Sequence, residues 1–422
     1  MSGEELRRLA LERMTEPCAC IPAELRMQLS QQLEVTVLTV PRVQVSKILK
    51  KLPKETALPI ANKRLVATVV DSMEGDAGAA GTKDVRVLHR PDEYYMSLLR
   101  GVVSTVRMRT EHITIPMEAR HRVDILEEVM PNPPTSFAIV GHIAHYNLRE
   151  DQLPLKYFIG ALTCHLEPTI RTVINKIDRL TDEFRVMSFE LIGGVPDYET
   201  THTEGGLIFR LDISKVFWNP RLGTEHASVA KRIAELIDRD ALVIDATGGI
   251  GPFSLHLARH HGFKRLLCND LNPESYRYMC ENVLINDLKD VVECKNDDAQ
   301  VLLQSYSTAP VGAVILNLPE LSIDFLQAIR GTQMLRGTWF FVECFHPDIE
   351  DLTQLRHELS YRCAKQLFEG VDDGEEDSLH RFAEFDARPV RKVSPGKSMY
   401  LVEFLCTRQG AETEPLIKRH WS

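Results

Sequence analysis

From Glu225 to Pro319 the sequence alternates short apolar runs with stretches of helical periodicity, and this alternation constrains the fold more than any other feature. A helical run that begins at Glu225 is followed by "ALVIDATGG", "GPFSLHLARHH", "RLLCNDL", "PESYRYMCENVLIN", "VVECKND" and "VGAVILNLP". Strands separated by helical segments pair in parallel and are covered on both faces. The expectation is a doubly wound, Rossmann-like α/β domain over residues 219–408, followed by a tail at 409–422.

Upstream the pattern differs. "PNPPTSFAIVGHIAHYNL" sets proline punctuation before a strand, and "FRVMSFELIGG" and "GGLIFRLDISKVFW" read as strands parted by turn residues such as Gly193, Gly194, Gly205 and Gly206. This predicts a small α+β middle domain over 116–218. Residues 1–115 mix helix and strand signals and read as an N-terminal α+β domain, interrupted by a glycine-rich loop from Asp71 to Asp84. Three domains suit a chain of 422 residues. In the first of them Lys47, Lys50, Lys51 and Lys54 fall on one side of a short helix, as a solvated face or a phosphate-contacting one.

Composition excludes several classes. No apolar stretch approaches the length of a membrane span. The nine cysteines are scattered with no C-x-x-C pair, so reduced structural thiols are expected and no metal site. The N-terminal "MSGEELRRLALERM" lacks a secretory h-region. A cytoplasmic or nuclear chain is expected, with a mitochondrial pool allowed by an arginine-bearing first helix. The formal charge of -10 argues against a general nucleic-acid coat but leaves room for local basic patches. Some of that acid is concentrated in Glu369 to Ser378, which reads as a solvated loop.

The chemistry-bearing motifs sit at the ends of the predicted strands. "VIDATGGIGPF" closes a strand at Asp245 and turns through Gly248, Gly249 and Gly251 into a helix, where the backbone can approach a ligand closely. Without a following Lys-Ser/Thr this is no P-loop. About twenty residues further on, Asp270 ends the next strand where a carboxylate accepts from a ribose diol. Asp297 and Asp298 end a third. Together they indicate a nucleoside-containing cofactor, either a nicotinamide dinucleotide or S-adenosylmethionine. Asn317-Leu318-Pro319 ends the fourth strand and favours the latter, because an asparagine before a proline-fixed turn can hold a planar nitrogen at a base edge.

"VGHIAHYNLRE", "YFIGALTCHLEPTIRTVINK", "FRVMSFELIGG", "DISKVFWNPRLGTEH", "DATGGIGPF", "NDLNPES", "NLPELSIDFL" and "RKVSPGKSMYLVEF" together resemble the archaeal and eukaryotic type of tRNA (guanine-37-N1)-methyltransferase. The resemblance covers residues 116–408. It implies a three-domain, class I enzyme that uses S-adenosylmethionine, with an N-terminal domain at the tRNA corner. The partner would be tRNA carrying guanosine at position 37, and the enzyme a monomer with no membrane or metal. By position in these motifs Glu225 matches the general base, Arg185 an electrophilic arginine and Arg221 a supporting one. His226, Asp270, Leu271, Asp298, Ala299 and Asn317 match cofactor-contacting positions, joined by Gly249 of the glycine turn, and Asn317 also lies near the guanine. This chain departs from the family's usual Asn-x-Asp-Gly-Arg with "NDDAQ", and from Phe-Ala-Gly-Val-Gly with "ATGGIG".

Guanine N1 carries a proton and methylates only as that proton leaves, so a carboxylate within hydrogen-bond reach is required. Loss of the proton builds charge on O6, where a guanidinium stabilises it. Thr224 reads as the N-cap of the helix that carries Glu225. Arg388, Arg391, Lys392 and Lys397 are candidates to hold nearby phosphates. Two other readings remain: an aminocarboxypropyl transferase acting on a modified guanosine of tRNA, and a non-catalytic tRNA-binding protein that kept the fold.

Overall fold

The structure is a computed structural model that describes residues 1–58, 60, 68–71, 82–102, 106–177, 186–368 and 378–406. The chain divides into two compact units, one of 1–138, 142–176 and 189–197, the other of 139–141, 177–188 and 198–422.

The first unit contains a four-stranded antiparallel sheet in the order Thr68–Asp71, Thr82–Leu88, Gln31–Pro41, Arg107–Ile115. One face packs Leu38, Val40, Val85 and Val87 against Ile48 of the helix Val45–Lys51 and against Tyr95 and Leu99 of the helix Asp92–Leu99. All four lysines singled out around that first helix are exposed. Most of the glycine-rich Asp71–Asp84 stretch lies outside the described residues.

A separate core gathers Leu6, Ala10, Leu25 and Leu29 of the first thirty residues with Ile125, Leu126, Phe158, Leu162, Val173 and Ile192. Its helix Lys156–Leu166 lies directly on the strand Phe189–Gly194. A Cβ on Gly160 would come within 2.0 Å of the Ile192 carbonyl oxygen. Gly193, expected to mark a turn, is therefore in the strand, and what it supplies is close approach of a helix.

In the second unit seven strands form one sheet among the described residues: β1 (Leu242–Asp245), β2 (Leu266–Asn269), β3 (Val292–Lys295), β4 (Val311–Leu316), β5 (Trp339–Pro347), β6 (Phe382–Ser394) and β7 (Lys397–Cys406). Their order is β3-β2-β1-β4-β5-β7-β6. The first five are parallel, and β7 is antiparallel to both β5 and β6. Helix α1 (Gly223–Leu236) leads into β1, and the helices between later strands include α2 (Pro252–His261), α3 (Pro273–Ile285), α4 (Ala299–Ser305) and α5 (Leu352–Leu367). This is a mixed, mostly parallel α/β sheet, the fold class expected.

The two faces of the β5-β7-β6 half differ. Phe340, Val342, Tyr400, Val402 and Phe404 point to the side where α5 packs Leu355, Leu359 and Cys363, forming one extended apolar cluster. The opposite face, with Phe341, Glu343, Leu401 and Glu403, receives α1 through an Arg232–Glu403 ion pair at 2.7 Å. A hairpin, Glu199–Glu204 with Leu207–Asp212, turns through Gly205 and Gly206, both at positive φ. Asn282 and Asn286 of α3 hydrogen-bond to its backbone.

Candidate active site

α1 begins earlier than "GTEH" suggests. Asn219 accepts from the Arg221 backbone N–H with its side chain, Pro220 occupies the first position, and a single 3-10 turn, Pro220–Leu222, runs straight into the α-helix. Thr224 is thus already inside the helix and is no cap, contrary to the expectation. Glu225 is the acid of the first turn. Its carboxylate is held bidentately by Arg388 of β6 at 2.6 and 3.1 Å, with its side chain only 11% exposed.

This corrects the reading of Arg388 as a phosphate contact. Lys392 is also paired, to Asp348 at 3.2 Å, and Lys397 lies over the Phe345 ring at 4.5 Å. Arg391 differs. Among the described residues neither it nor Arg221 carries a side-chain hydrogen bond or ion pair. Burial and the neighbouring Arg221 charge pull the Arg391 guanidinium below its ordinary range, against an opposing pull from Glu343.

His226, beside Glu225, turns into the core. Its Nδ1 lies 2.8 Å from Glu204 Oε1, and Nε2 of His256 on α2 approaches the same oxygen at 3.1 Å. The ring meets Phe253 edge to face. Glu204 is 9% exposed; burial works to raise its pKa, but the two imidazole contacts outweigh it and bring the group down to about 2. A Cβ on Gly223 would meet the Glu204 carboxylate at 2.8 Å, so only glycine admits this acid at the start of α1.

The glycine turn has the expected form. Gly249 and Gly251 adopt φ of +58° and +98°, and the space beyond the Gly249 Cα is open. Asp270 is half-buried and accepts from the Gly249 N–H at 2.9 Å and the Asn272 N–H at 3.0 Å, while loss of solvent around it pushes its pKa up. Leu271, next to it, is 45% exposed. Asp298 caps α4 by accepting from the Gln300 and Val301 N–H groups, and Ala299 is buried. The Asn317 N–H donates to Thr247 Oγ1 at 2.7 Å, tying the fourth strand end to the glycine turn. Beside Pro319 a cavity of about 480 Å³ is lined by Phe345, His346, Arg362 and Lys397. Arg185 lies outside the described residues.

Two acids escaped the sequence reading as site residues. Asp245, at the end of β1, is fully buried; its Oδ1 has no hydrogen-bond partner among the described residues, and burial pushes its pKa up to about 7 despite the Ser254 hydroxyl on Oδ2. Glu343, in the middle of β5, is 2% exposed, and neither carboxyl oxygen has a hydrogen-bond partner among the described residues. Burial first, and then the Glu225 charge, hold it well above the usual carboxylate range. The signal for it was present: one acid inside the apolar run "WFFVECF".

The doubly wound sheet with an antiparallel β7 inserted between β5 and β6, together with the glycine turn and the acids at successive strand ends, is the class I methyltransferase architecture. Residues 200–356 match the description of the TRM5/TYW2 methyltransferase domain, and residues 122–197 that of the TYW2 N-terminal domain. A tRNA (guanine(37)-N(1))-methyltransferase of Giardia intestinalis is 37% identical, over 98% of this chain and 94% of its own. One of Drosophila melanogaster is 30% identical over 90% and 83%. The fold matches that of aTrm5, solved in complex with tRNALeu, with a TM-score of 0.61, 18% identity, and coverage of 88% of this chain and 99% of that one. The chain belongs to the TRM5/TYW2 family of tRNA methyltransferases.

Proposed function

We propose that Glu225 takes the N1 proton of guanosine 37 while Arg185 stabilises the charge that develops on O6, and that Asn317 holds the guanine edge. The enzyme class comes from the family: a tRNA (guanine(37)-N(1))-methyltransferase. What carries the assignment of the base is that Glu225 stands at the first turn of α1 as a half-buried carboxylate, on the sheet face that also holds Glu343, Arg388 and Arg391.

The residues around the glycine turn fit S-adenosylmethionine. Gly249 leaves room for close approach, the buried Asp245 Oδ1 lacks a partner, and the exposed Leu271 offers an apolar face for a purine. Asp270, Leu271, Asp298 and Ala299 would line the nucleoside half, and His226 would support the wall behind Glu225. S-adenosylmethionine supplies an electrophilic methyl group when bound. The chain's own work is then to orient the base, exclude water and receive one proton.

The guanine must leave its stack to reach this site. Arg221 and Arg391, unpaired among the described residues, are placed to meet its phosphates. Nucleoside analysis of tRNA incubated with enzyme and S-adenosylmethionine tests the reading. N1-methylguanosine at position 37 is expected. A guanosine carrying an aminocarboxypropyl group would overturn it in favour of the other family chemistry, and unmodified tRNA that still binds would leave a non-catalytic binder.

A further inference from the structure

The Glu225–Arg388 pair presents a chemical problem. A carboxylate held bidentately by a guanidinium is stabilised as the anion and is a poor acceptor for a guanine proton. In the arrangement described here both Glu225 oxygens are engaged by Arg388, at 2.6 and 3.1 Å, and neither is free to receive the N1 proton.

The register of the sheet shows where Arg388 can go. Leu401 of β7 pairs with Glu343 of β5 on one side and with Arg388 of β6 on the other. Directly opposed residues share a face, so Glu343, Leu401 and Arg388 form one row across three strands, with about 10 Å between the outer backbones. That separation is within the combined reach of an arginine and a glutamate side chain. The register shift between Pro389 and Arg391 brings Arg391, opposite Met399, onto the same face. α1 covers this row and delivers Glu225 to it. Glu343 is the one acid of the row with both oxygens buried and no partner among the described residues. Arg388 is 41% exposed at its side chain, and a cavity of about 340 Å³ opens beside it and Leu401. The Arg388 side chain is therefore not closed in by packing.

We propose that Glu343 is the alternative partner of Arg388: when the guanine enters, the guanidinium leaves Glu225 for Glu343, and Glu225 becomes free to accept the N1 proton. The inference rests on Glu225 being the base. The charged groups that face Glu343 are Glu225 from α1, Arg388 and Arg391 from β6, and Asp245 from β1. In the resting arrangement burial and the Glu225 carboxylate favour the protonated form of Glu343. As Arg388 moves over, Glu343 releases that proton to solvent and becomes the carboxylate of the new pair. Glu225 then takes the proton from N1. After the product leaves, Glu225 gives this proton to solvent, Glu343 takes one back, and Arg388 returns. The balance over one turnover is a single proton, that of N1, delivered to solvent. Glu343 is a positioning residue that acts through Arg388 and does not touch the guanine.

Glu343→Gln tests this, because the amide copies the shape and charge of the protonated acid but cannot become a carboxylate. The expected result is an unchanged melting temperature and an unchanged KM for tRNA, with kcat down by about 10- to 100-fold. The acid limb of the kcat–pH profile, which in the native enzyme contains the ionisation of Glu343, is expected to move to lower pH. Should the amide fold poorly, Glu343→Met suits the apolar strand and carries the same kinetic expectation. Removing Arg388 removes the need for its alternative partner, so Arg388→Ala combined with Glu343→Gln is expected to be no slower than Arg388→Ala alone. Native kcat and pH profile in Glu343→Gln, beside an inactive Glu225→Gln, would overturn the exchange and leave the base standing. Full activity in Glu225→Gln would overturn both.

Discussion

Glu204 and Glu343 are both glutamates buried near α1, at 9% and 2% exposure, yet their surroundings push their pKa values in opposite directions. Glu204 is met by two imidazoles and is driven down to about 2. Glu343 meets no partner among the described residues and is driven well up. Burial penalises the ionised form in both, so the difference lies in the hydrogen bonds and charges that surround each one. The partnered acid fixes the start of α1. The unpartnered one is a place into which a charge can move.

The largest test of that contrast is Glu225 itself, whose carboxylate is fully paired at rest and yet has to act as a base. Glu225→Gln is expected to lower single-turnover methylation by about 100- to 10,000-fold, with tRNA affinity measured by filter binding left nearly intact. A parallel loss of affinity would assign Glu225 to binding.

Glu204→Gln addresses the partnered half. Replacing the carboxylate that both His226 and His256 approach is expected to cost about 2–4 kcal/mol of stability, read from chemical denaturation. The sign of the pH dependence follows from the depressed pKa. Glu204 contributes stability above its ordinary 4.5, and that contribution is lost as pH falls from there through about 2. The native protein should therefore lose stability more steeply than the variant across that window.

Asp245 belongs with Glu343, and its slope is opposite. With the folded group at about 7 against an ordinary 3.8, stability is fully present below 3.8, declines as pH rises towards 7, and is level above it. Asp245→Asn is expected to flatten this decline, as followed by melting temperature between pH 4 and 8. An unchanged slope would show that Asp245 is ionised in the folded protein.

The smallest effect is expected at the surface. Arg391→Ala should lower the dependence of log affinity for tRNA on log salt by about one phosphate contact, with a minor change in affinity itself. An unchanged slope would remove Arg391 from the tRNA surface.

Much of the catalytic half was legible in the sequence. The alternation of strand and helix after Glu225, the glycine turn at Gly248–Gly251 and the acids after successive strands all follow from local periodicity and turn chemistry, and all stand where expected. The helix start at "NPRLGTEH" was misread because Asn219 and Pro220 compete with Thr224 as a start signal, and the 3-10 turn they open continues without a break. Arg388 was misread because a basic residue on a two-sided edge hairpin looks solvated until the helix that covers the row is placed.

The sequence by itself determined the fold class, the glycine turn after β1 and the acid at the head of α1, because each depends on residues within one turn or strand. Tertiary structure alone decided which carboxylates are partnered. Glu204 meets His226 and His256, Glu225 meets Arg388, and Glu343 meets neither, through contacts that join residues far apart in the chain. The charge of a buried acid depends on groups within a few ångströms of it, and only the packed sheet and helices bring those groups together.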